Sequence, residues 1–403
     1  MELFWLEHRK LWRKKIVKIC VLLCFVYCVI FGSILSFQWF CFGSSDDYTS
    51  AFGNNFDGYT VIKDSQEYAL SFGGELTDET LQQIVSDYQQ MEADGMEKEL
   101  EKTDWQIVNS WLGTLYPELR DTSNYKTMIS YVDPDKLTGF YERRQQVLDE
   151  FLEVSGQVGA EKEYLHQIER KVEKPFHYEW VEGWSTLLGS MVADLGVVMA
   201  LFLGIVLSSL FAGEWHDNTS TLVLTTRNGW GKIALAKILT GLAFTVELFA
   251  LLAVSNVISQ LFFMGTAGWD MPIQNIKLIA VAPMNMLQAE IYEYAFVLLG
   301  AIGFAGIVMF TSAAVKNNVL TLLLSLAVVY GPMMIAEYLP YEMQKALDLI
   351  PLVGSSTDIF RTNTFRIFGK LIWSPYLLIT IPVLIGILCM PFAIKSWSRR
   401  MKA

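Results

Sequence analysis

Charged residues are scarce in this chain. They make up 18% of its 403 residues, whereas hydrophobic residues make up 52%. An ordinary soluble domain carries about 25% charged residues. This deficit argues against a disordered chain, a collagen-like chain or a cytosolic enzyme, and it indicates a membrane protein.

Cysteine is also rare, with five residues in the whole chain. None lies between Cys41 and Cys389, which excludes a disulfide framework or a cysteine-based zinc site over most of the sequence. Cys20, Cys24 and Cys28 recur every four residues and so share one helix face. Packing of small polarizable side chains in lipid explains this face, and a metal or redox site is the alternative.

Catalytic signatures are missing from the sequence. The four histidines are far apart along the chain: His8, His166, His177 and His216. No G-x-S-x-G or H-E-x-x-H motif occurs, and neither Gly-Lys pair, at Gly231 and Gly369, is followed by the Ser or Thr of a phosphate-binding loop. We therefore expect no enzyme activity, no cofactor and no metal site, and any ATP hydrolysis must come from another protein.

Six apolar runs have the length, or nearly the length, of a membrane-crossing helix. They are residues 16–37, 187–211, 238–264, 295–315, 319–335 and 371–394. The first lacks the cleavage site of a signal peptide and is expected to stay as an anchor. The predicted fold class is therefore α: a polytopic membrane protein with six transmembrane helices and a mainly helical extracytoplasmic domain that includes one small β-hairpin.

The basic residues predict the orientation of the spans. If the N-terminus is cytoplasmic, the cytoplasmic pieces 1–15, 212–237, 316–318 and 395–403 hold 13 Lys and Arg in 53 residues. We expect a bacterial cytoplasmic membrane protein with both termini inside. Residues 1–15 mix basic and aromatic side chains and are predicted to form a helix in the inner headgroup layer, or else a simple basic flank of the first span.

Residues 41–184 form the predicted extracytoplasmic domain. This block holds 29 of the 42 acidic residues and only 12 of the 31 basic ones, a balance that excludes nucleic acid as a partner. Its length is sufficient for a core of its own. The expected elements are a hairpin of 59–62 with 68–72, a helix capped by Thr77, a helix at 105–116, a helix begun by Asp133–Pro134, and a helix at 161–172.

Two acids lie inside predicted spans, Asp194 in the second and Glu247 in the third. A charge at membrane depth costs at least a few kcal/mol, so each is expected to face the bundle interior or a wet cavity. The functional interpretation is a residue of a substrate pathway or a proton-linked residue. The alternative is a structural acid that is protonated or hydrogen-bonded.

The most informative stretch is the cytoplasmic link 212–237. It carries, in this order, Glu214, Thr219, Leu222, Leu224, Thr225, Arg227 and Lys237. This pattern resembles the signature of the permease subunit of type 2 ABC exporters, with Asn218 in place of the usual Gly and Thr226 in place of the usual Pro. An ordinary polar turn between two helices is the alternative.

The resemblance implies specific partners and roles. In that family the link is a coupling helix seated in a groove of a cytosolic ABC ATPase, so Glu214, Thr219, Leu222, Arg227 and Lys237 are the candidate ATPase-coupling residues. A second permease copy, identical or related, would complete the pathway within the lipid bilayer. Residues 340–370 resemble the outer re-entrant segment of the family, and a lipid-facing amphipathic hairpin is the alternative for this segment.

The expected function is therefore export of a hydrophobic or amphipathic compound, such as an antimicrobial peptide or a lipid, powered by a separate ATPase. A non-transporting receptor that binds an extracellular ligand through 41–184 is the rival. An intramembrane enzyme is a third option, which the absence of a partner motif beside Asp194 and Glu247 weakens.

Overall fold

The chain is a helical, polytopic membrane protein, seen here in a computed structural model. The structure describes residues 2–30, 62–63, 66–67, 73–95, 105–121, 126–188, 192–217, 231–354, 360 and 363–399.

Five helices within these ranges are long and apolar enough to cross a membrane. They follow a pair of N-terminal helices, α1 (Glu2–Arg13) and α2 (Lys15–Val29). The five are α8 (Val192–His216), α9 (Lys232–Met264), α10 (Met286–Val315), α11 (Asn318–Ile335) and α13 (Ser374–Arg399). The first predicted span, 16–37, begins as α2, and its part beyond Ile30 lies outside the described residues.

The long helices extend beyond the predicted spans. Helix α10 begins at Met286 rather than at 295, because Asn285 and Gln288 form a reciprocal capping box there. Helix α9 begins six residues before the predicted 238. The second predicted span, 187–211, is displaced: α8 begins at Val192 and continues to His216. An apolar run marks the part of a helix that can cross the lipid. The helix itself can begin earlier, as α10 does at its Asn285 cap.

Helix α10 lies at the centre of the bundle and packs against α8, α9, α11 and α13. Helix α2 packs against α8 and α9, and it presents Cys20, Cys24 and Cys28 to them, each at most 4% exposed. Helix α1 packs along α9, where the rings of Trp12 and Phe244 lie 5.7 Å apart. The N-terminal helix is therefore part of the bundle and not only a surface anchor.

The acidic domain contains a short antiparallel pair of strands, β1 (Gly74–Leu76) and β2 (Phe176–Tyr178). The rest is helical: α3 (Asp78–Ala93), α4 (Trp105–Leu115), α5 (Phe140–Val154), α6 (Ala160–Glu169) and α7 (Glu182–Thr186). Short 3-10 turns lie at Pro117–Leu119, Met128–Ser130 and Pro134–Lys136.

Two local expectations in this domain have clear outcomes. The Thr77 cap is confirmed, since its hydroxyl accepts a hydrogen bond from the Thr80 amide at 3.2 Å. The helix expected to begin at Asp133–Pro134 is only a 3-10 turn there, and α5 begins at Phe140, after Gly139 takes a left-handed φ of 72°. The predicted 59–62 and 68–72 hairpin lies almost wholly outside the described residues.

The domain shares its core with the loop 265–285 that joins α9 to α10. Arg144 is fully buried and donates to the carbonyl oxygens of Leu278 at 2.8 Å and Ala280 at 3.1 Å. The Trp111 indole donates to the carbonyl of Asn275 at 2.9 Å. These donors are satisfied by the loop, so the acidic domain packs against it, while the buried apolar cluster of the domain comes from its own residues apart from Leu278.

The segment 340–370 does not form a pair of re-entrant helices within its described part. It contains the seven-residue α12 (Tyr341–Leu347), followed by a β-hairpin of β3 (Thr364–Ile367) and β4 (Lys370–Trp373). The hairpin delays the last long helix to Ser374, three residues after the predicted start. Arg366 pairs with Glu161 of α6 at 2.5 Å, so the hairpin contacts the acidic domain.

The connecting segments separate into two ends of the bundle. The acidic domain, loop 265–285 and the β3–β4 hairpin contact one another at one end. Helix α1 and the ends of α8 and α13 gather at the other, where the Phe211 and Trp397 rings lie 5.5 Å apart. Both ends of the described chain, at Glu2 and Arg399, belong to this second end.

Candidate functional site

The candidate coupling link is flanked by two helices that extend into it. Helix α8 carries Glu214 in its last turn, and α9 carries Lys237 in its second turn. Thr219, Leu222 and Arg227 lie in 218–230, outside the described residues. The structure thus describes the two flanks of the link.

The two flanks are joined by a buried ion pair. Lys237 Nζ lies 2.8 Å from Glu214 Oε1, and the residues are 1% and 4% exposed. Lys237 Nζ also lies 2.8 Å from Glu7 Oε2 of α1. Glu214 Oε1 in turn accepts from Lys10 Nζ of α1 at 2.5 Å. Two acids and two lysines from three helices therefore form one charge-balanced cluster.

The surroundings favour the charged form of Lys10. Burial opposes charge on Lys10, but its hydrogen bond to Glu214 and the nearby carboxylates raise the pKa of Lys10 above its ordinary value. Lys14, beside the cluster, donates to the Ser209 hydroxyl at 2.9 Å. Burial and the charges of Lys237 and Lys10 lower the pKa of Lys14. A further positive charge is thus disfavoured where the four-residue cluster is already neutral.

The geometry corrects one expectation about Glu214. The sequence pattern places its carboxylate at the surface, available to a basic partner protein, but the structure buries it against two lysines of its own chain. Glu214 and Lys237 therefore fix the positions of the helix ends beside the link.

Aromatic side chains surround the same end of the bundle. Trp215 follows Glu214, and its ring lies 6.2 Å from that of Trp397 in α13. The Lys316 ammonium lies 4.2 Å from the centre of the Trp215 ring, a cation–π contact from the turn between α10 and α11. The end of α8 thus contacts α1, α9, α13 and the turn after α10.

The two candidate pathway acids have different outcomes. Glu247 of α9 does not face the bundle interior: Trp12 Nε1 donates to its Oε2 at 3.0 Å, and His8 Nε2 lies 3.2 Å from its Oε1. Its side chain remains 42% exposed. These contacts make Glu247 the docking point of α1. Asp194 lies in the first turn of α8, and its side chain is outside the described part of the structure.

Sequence reasoning missed a polar cluster where α9 and α10 meet. Asn256 and Gln260 of α9 are 2% and 0% exposed, and Glu290 of α10 is 3% exposed. The sequence pattern does not single out Glu290, because the apolar run begins only at 295 and the acid falls outside the expected span. The signal that points to it is the capping sequence from Asn285 to Gln288, which places Glu290 in the second turn of a long helix.

The acidic domain and the loop below it enclose a cavity of about 390 Å³. Polar and charged side chains dominate its lining, including Lys171, His177, Asp270, Gln274 and Gln288. Within the described ranges, no three or more His, Cys, Asp and Glu side chains are grouped so that they could hold a metal ion.

No family model, curated protein or solved structure matches the chain, and its function has to be inferred from the residues and contacts described above.

Proposed function

We propose that this chain is the membrane-spanning permease subunit of a bacterial type 2 ABC exporter. It moves a hydrophobic or amphipathic compound, such as an antimicrobial peptide or a lipid, out of the cell. A separate cytosolic ABC ATPase supplies the energy. The observation that carries the proposal is the buried Glu214–Lys237 pair, at 2.8 Å, which joins the two helices that flank the signature-bearing link 212–237.

The pair gives the link a way to act on the bundle. Helices α8 and α9 are continuous for 25 and 33 residues from the link to the opposite end of the bundle. Because Glu214 and Lys237 hold their ends together, a force applied to 218–230 displaces both helices jointly. Glu7 and Lys10 extend the same connection to α1. An ATPase that closes on ATP needs such a stiff connection to drive a membrane pathway.

The proposed orientation places the link in the cytoplasm. Helix α1, the flanks of the link and the end of α13 share one end of the bundle, and these segments carry the basic excess. The acidic domain, loop 265–285 and the β3–β4 hairpin then face outward. Two permease copies, identical or related, would enclose the pathway in the bilayer.

Arginine 227 provides the direct test of coupling. An arginine pairs with a carboxylate through two hydrogen bonds, and losing such a partner at an interface costs roughly 2–5 kcal/mol. We expect Arg227→Ala to weaken ATPase binding, or substrate-stimulated ATP hydrolysis, at least tenfold in nanodiscs holding the full chain and the ATPase that co-purifies with it. The melting temperature of the chain should stay unchanged.

Arg170→Ala is the matched control, because Arg170 is an exposed arginine of the acidic domain that pairs with Glu163 at 3.3 Å. It should leave ATP hydrolysis unaltered. If no ATP-hydrolysing protein co-purifies with the chain, or if both variants support hydrolysis equally, the proposed coupling is wrong.

A receptor is the second candidate, favoured by the 390 Å³ cavity under the acidic domain. In that case the full chain would bind an extracellular ligand with no ATPase present. Replacing a cavity residue, as in His177→Ala, would then weaken ligand binding, while Arg227→Ala would leave it intact.

A further inference from the structure

Several buried polar groups at the contact of α9 and α10 lack hydrogen-bond partners. Both carboxylate oxygens of Glu290, both amide atoms of Gln260 and the amide oxygen of Asn256 make no hydrogen bond within the described structure. All three residues are at most 3% exposed. An unpaired polar group in such surroundings costs about 1–3 kcal/mol, and an unpaired charge costs more. An occupant that brings positive charge or hydrogen-bond donors would satisfy them.

The antiparallel register of the two helices brings these groups together. Asn256 Nδ2 lies 3.4 Å from the Tyr294 hydroxyl, and this contact shows which turns of α9 and α10 lie side by side. Gln260 is one turn after Asn256 in α9, and Glu290 is one turn before Tyr294 in α10. Gln260 and Glu290 therefore lie on the adjoining turns of the two helices, and the polar atoms of both side chains lack hydrogen-bond partners.

The oxygen atoms without hydrogen-bond partners favour a positively charged ligand. When ionised, the Glu290 carboxyl supplies a single negative charge, and no basic side chain in the described part of the chain pairs with it. The amide oxygens of Asn256 and Gln260 and the Tyr294 hydroxyl add neutral oxygen ligands. Four acceptor oxygens of these residues lack partners, two of them on Glu290, whereas the unpaired donor among them is the Gln260 amide nitrogen, so acceptors are in excess. Hard oxygen ligands around one negative charge suit a small monovalent cation.

We propose that Asn256, Gln260, Glu290 and Tyr294 form a binding site for a small monovalent cation, either an alkali metal ion or an ammonium group. The site lies beneath loop 265–285, at the end of the bundle that carries the acidic domain. It binds by ion pairing with Glu290 and by coordination to the amide and hydroxyl oxygens. The inference does not depend on the ATPase or on the proposed transport function.

The experiment measures the melting temperature of the purified full chain against cation concentration. Sodium, potassium and methylammonium chloride are compared with N-methylglucamine chloride at constant ionic strength. A ligand that binds only the folded state raises the melting temperature as its concentration passes the dissociation constant. We expect a saturable rise of several degrees with at least one cation. Sodium or potassium alone would assign a metal site, and methylammonium alone would assign an ammonium site.

Amino-acid substitutions show which residues the cation-dependent rise in melting temperature depends on. Glu290→Gln keeps the shape and removes the charge, so it should abolish the cation-dependent rise, and Gln260→Leu should weaken the apparent affinity at least tenfold. Glu247→Gln is the matched control, since Glu247 is an acid of α9 held by Trp12 and His8 instead, and it should retain the full rise. If Glu290→Gln does not fold, the apparent cation affinity of Gln260→Leu, compared with that of the unsubstituted chain, tests the site instead.

Either of two results would overturn the proposal. The first is a melting temperature of the unsubstituted chain that no cation alters, in which case a proton or a bound water satisfies these groups. The second is a cation-dependent rise that survives in both Glu290→Gln and Gln260→Leu, since the cation would then bind elsewhere.

Discussion

Charged residues in this bundle are stabilised by their partners and not by solvent. Glu214 and Lys237 are almost fully buried, and each also contacts one residue of α1. Removing one member of a buried ion pair leaves the other charged and unsolvated, which is far more costly than losing an exposed pair. Sequence alone treats Glu214 as a surface residue of the link, whereas its burial makes it a structural residue.

We expect Glu214→Ala to destabilise the folded chain by about 3–5 kcal/mol, the usual cost of breaking a buried pair. Lys10→Ala is the control. Its side chain is 49% exposed, so it should cost at most about 1 kcal/mol. Thermal unfolding of the two variants in detergent measures the difference. The buried-cluster interpretation fails if Glu214→Ala melts at the same temperature as Lys10→Ala.

Helices α10 and α13 approach each other closely through glycines. A Cβ atom placed on Gly386 would lie 2.5 Å from the Cα of Gly303, a distance that no side-chain atom tolerates. In membranes, where lipid tails are as apolar as leucine, close packing of small residues supplies much of the association between helices. The glycine contact therefore fixes how the last helix docks on the central one.

Gly386→Ala should consequently separate α10 from α13 and destabilise the bundle by roughly 1–3 kcal/mol, the usual cost of overpacking. Gly331→Ala in α11 is the matched change, because a Cβ there meets no atom within 4 Å. Alanine favours a helix over glycine by up to about 1 kcal/mol, so this control should be neutral or slightly stabilising. Melting temperatures of both variants provide the measurement. Equal losses in the two would show that the contact is not tight.

At the scale of the whole molecule, the contacts assign the connecting segments to two ends. The hairpin residue Arg366 pairs with Glu161 of the acidic domain, and the fully buried Arg144 binds loop 265–285. Arg366 of the hairpin is thus paired with an acid of the acidic domain. If the end with α1 is cytoplasmic, every one of these segments is outside.

Single cysteines in a chain without its five native ones test this arrangement on intact cells. Val158 and Phe368 are 56% and 102% exposed at the end with the acidic domain. Val158→Cys and Phe368→Cys should react with a membrane-impermeant thiol reagent, whereas Ser220→Cys and Ser398→Cys should react only after permeabilisation. Labelling of Ser398→Cys from outside would contradict the proposed orientation.

The sequence by itself determined the features that depend on neighbouring residues. Apolar runs located the five long helices, because burying about 20 consecutive apolar residues in lipid needs no distant partner. The Thr77 cap and the end of α4 before Pro117 were also predictable, since a hydroxyl and a proline act on the backbone within a few residues.

Only the tertiary structure decided features that join distant parts of the chain. Strand β1 pairs with a strand about 100 residues later, Glu214 contacts lysines of two helices, and Asn256 contacts Tyr294 from the other side of a 21-residue loop. No local pattern records which polar groups face each other, because that depends on how whole helices pack. The burial that turns Glu214 and Glu290 from surface acids into structural or binding residues arises from this packing alone.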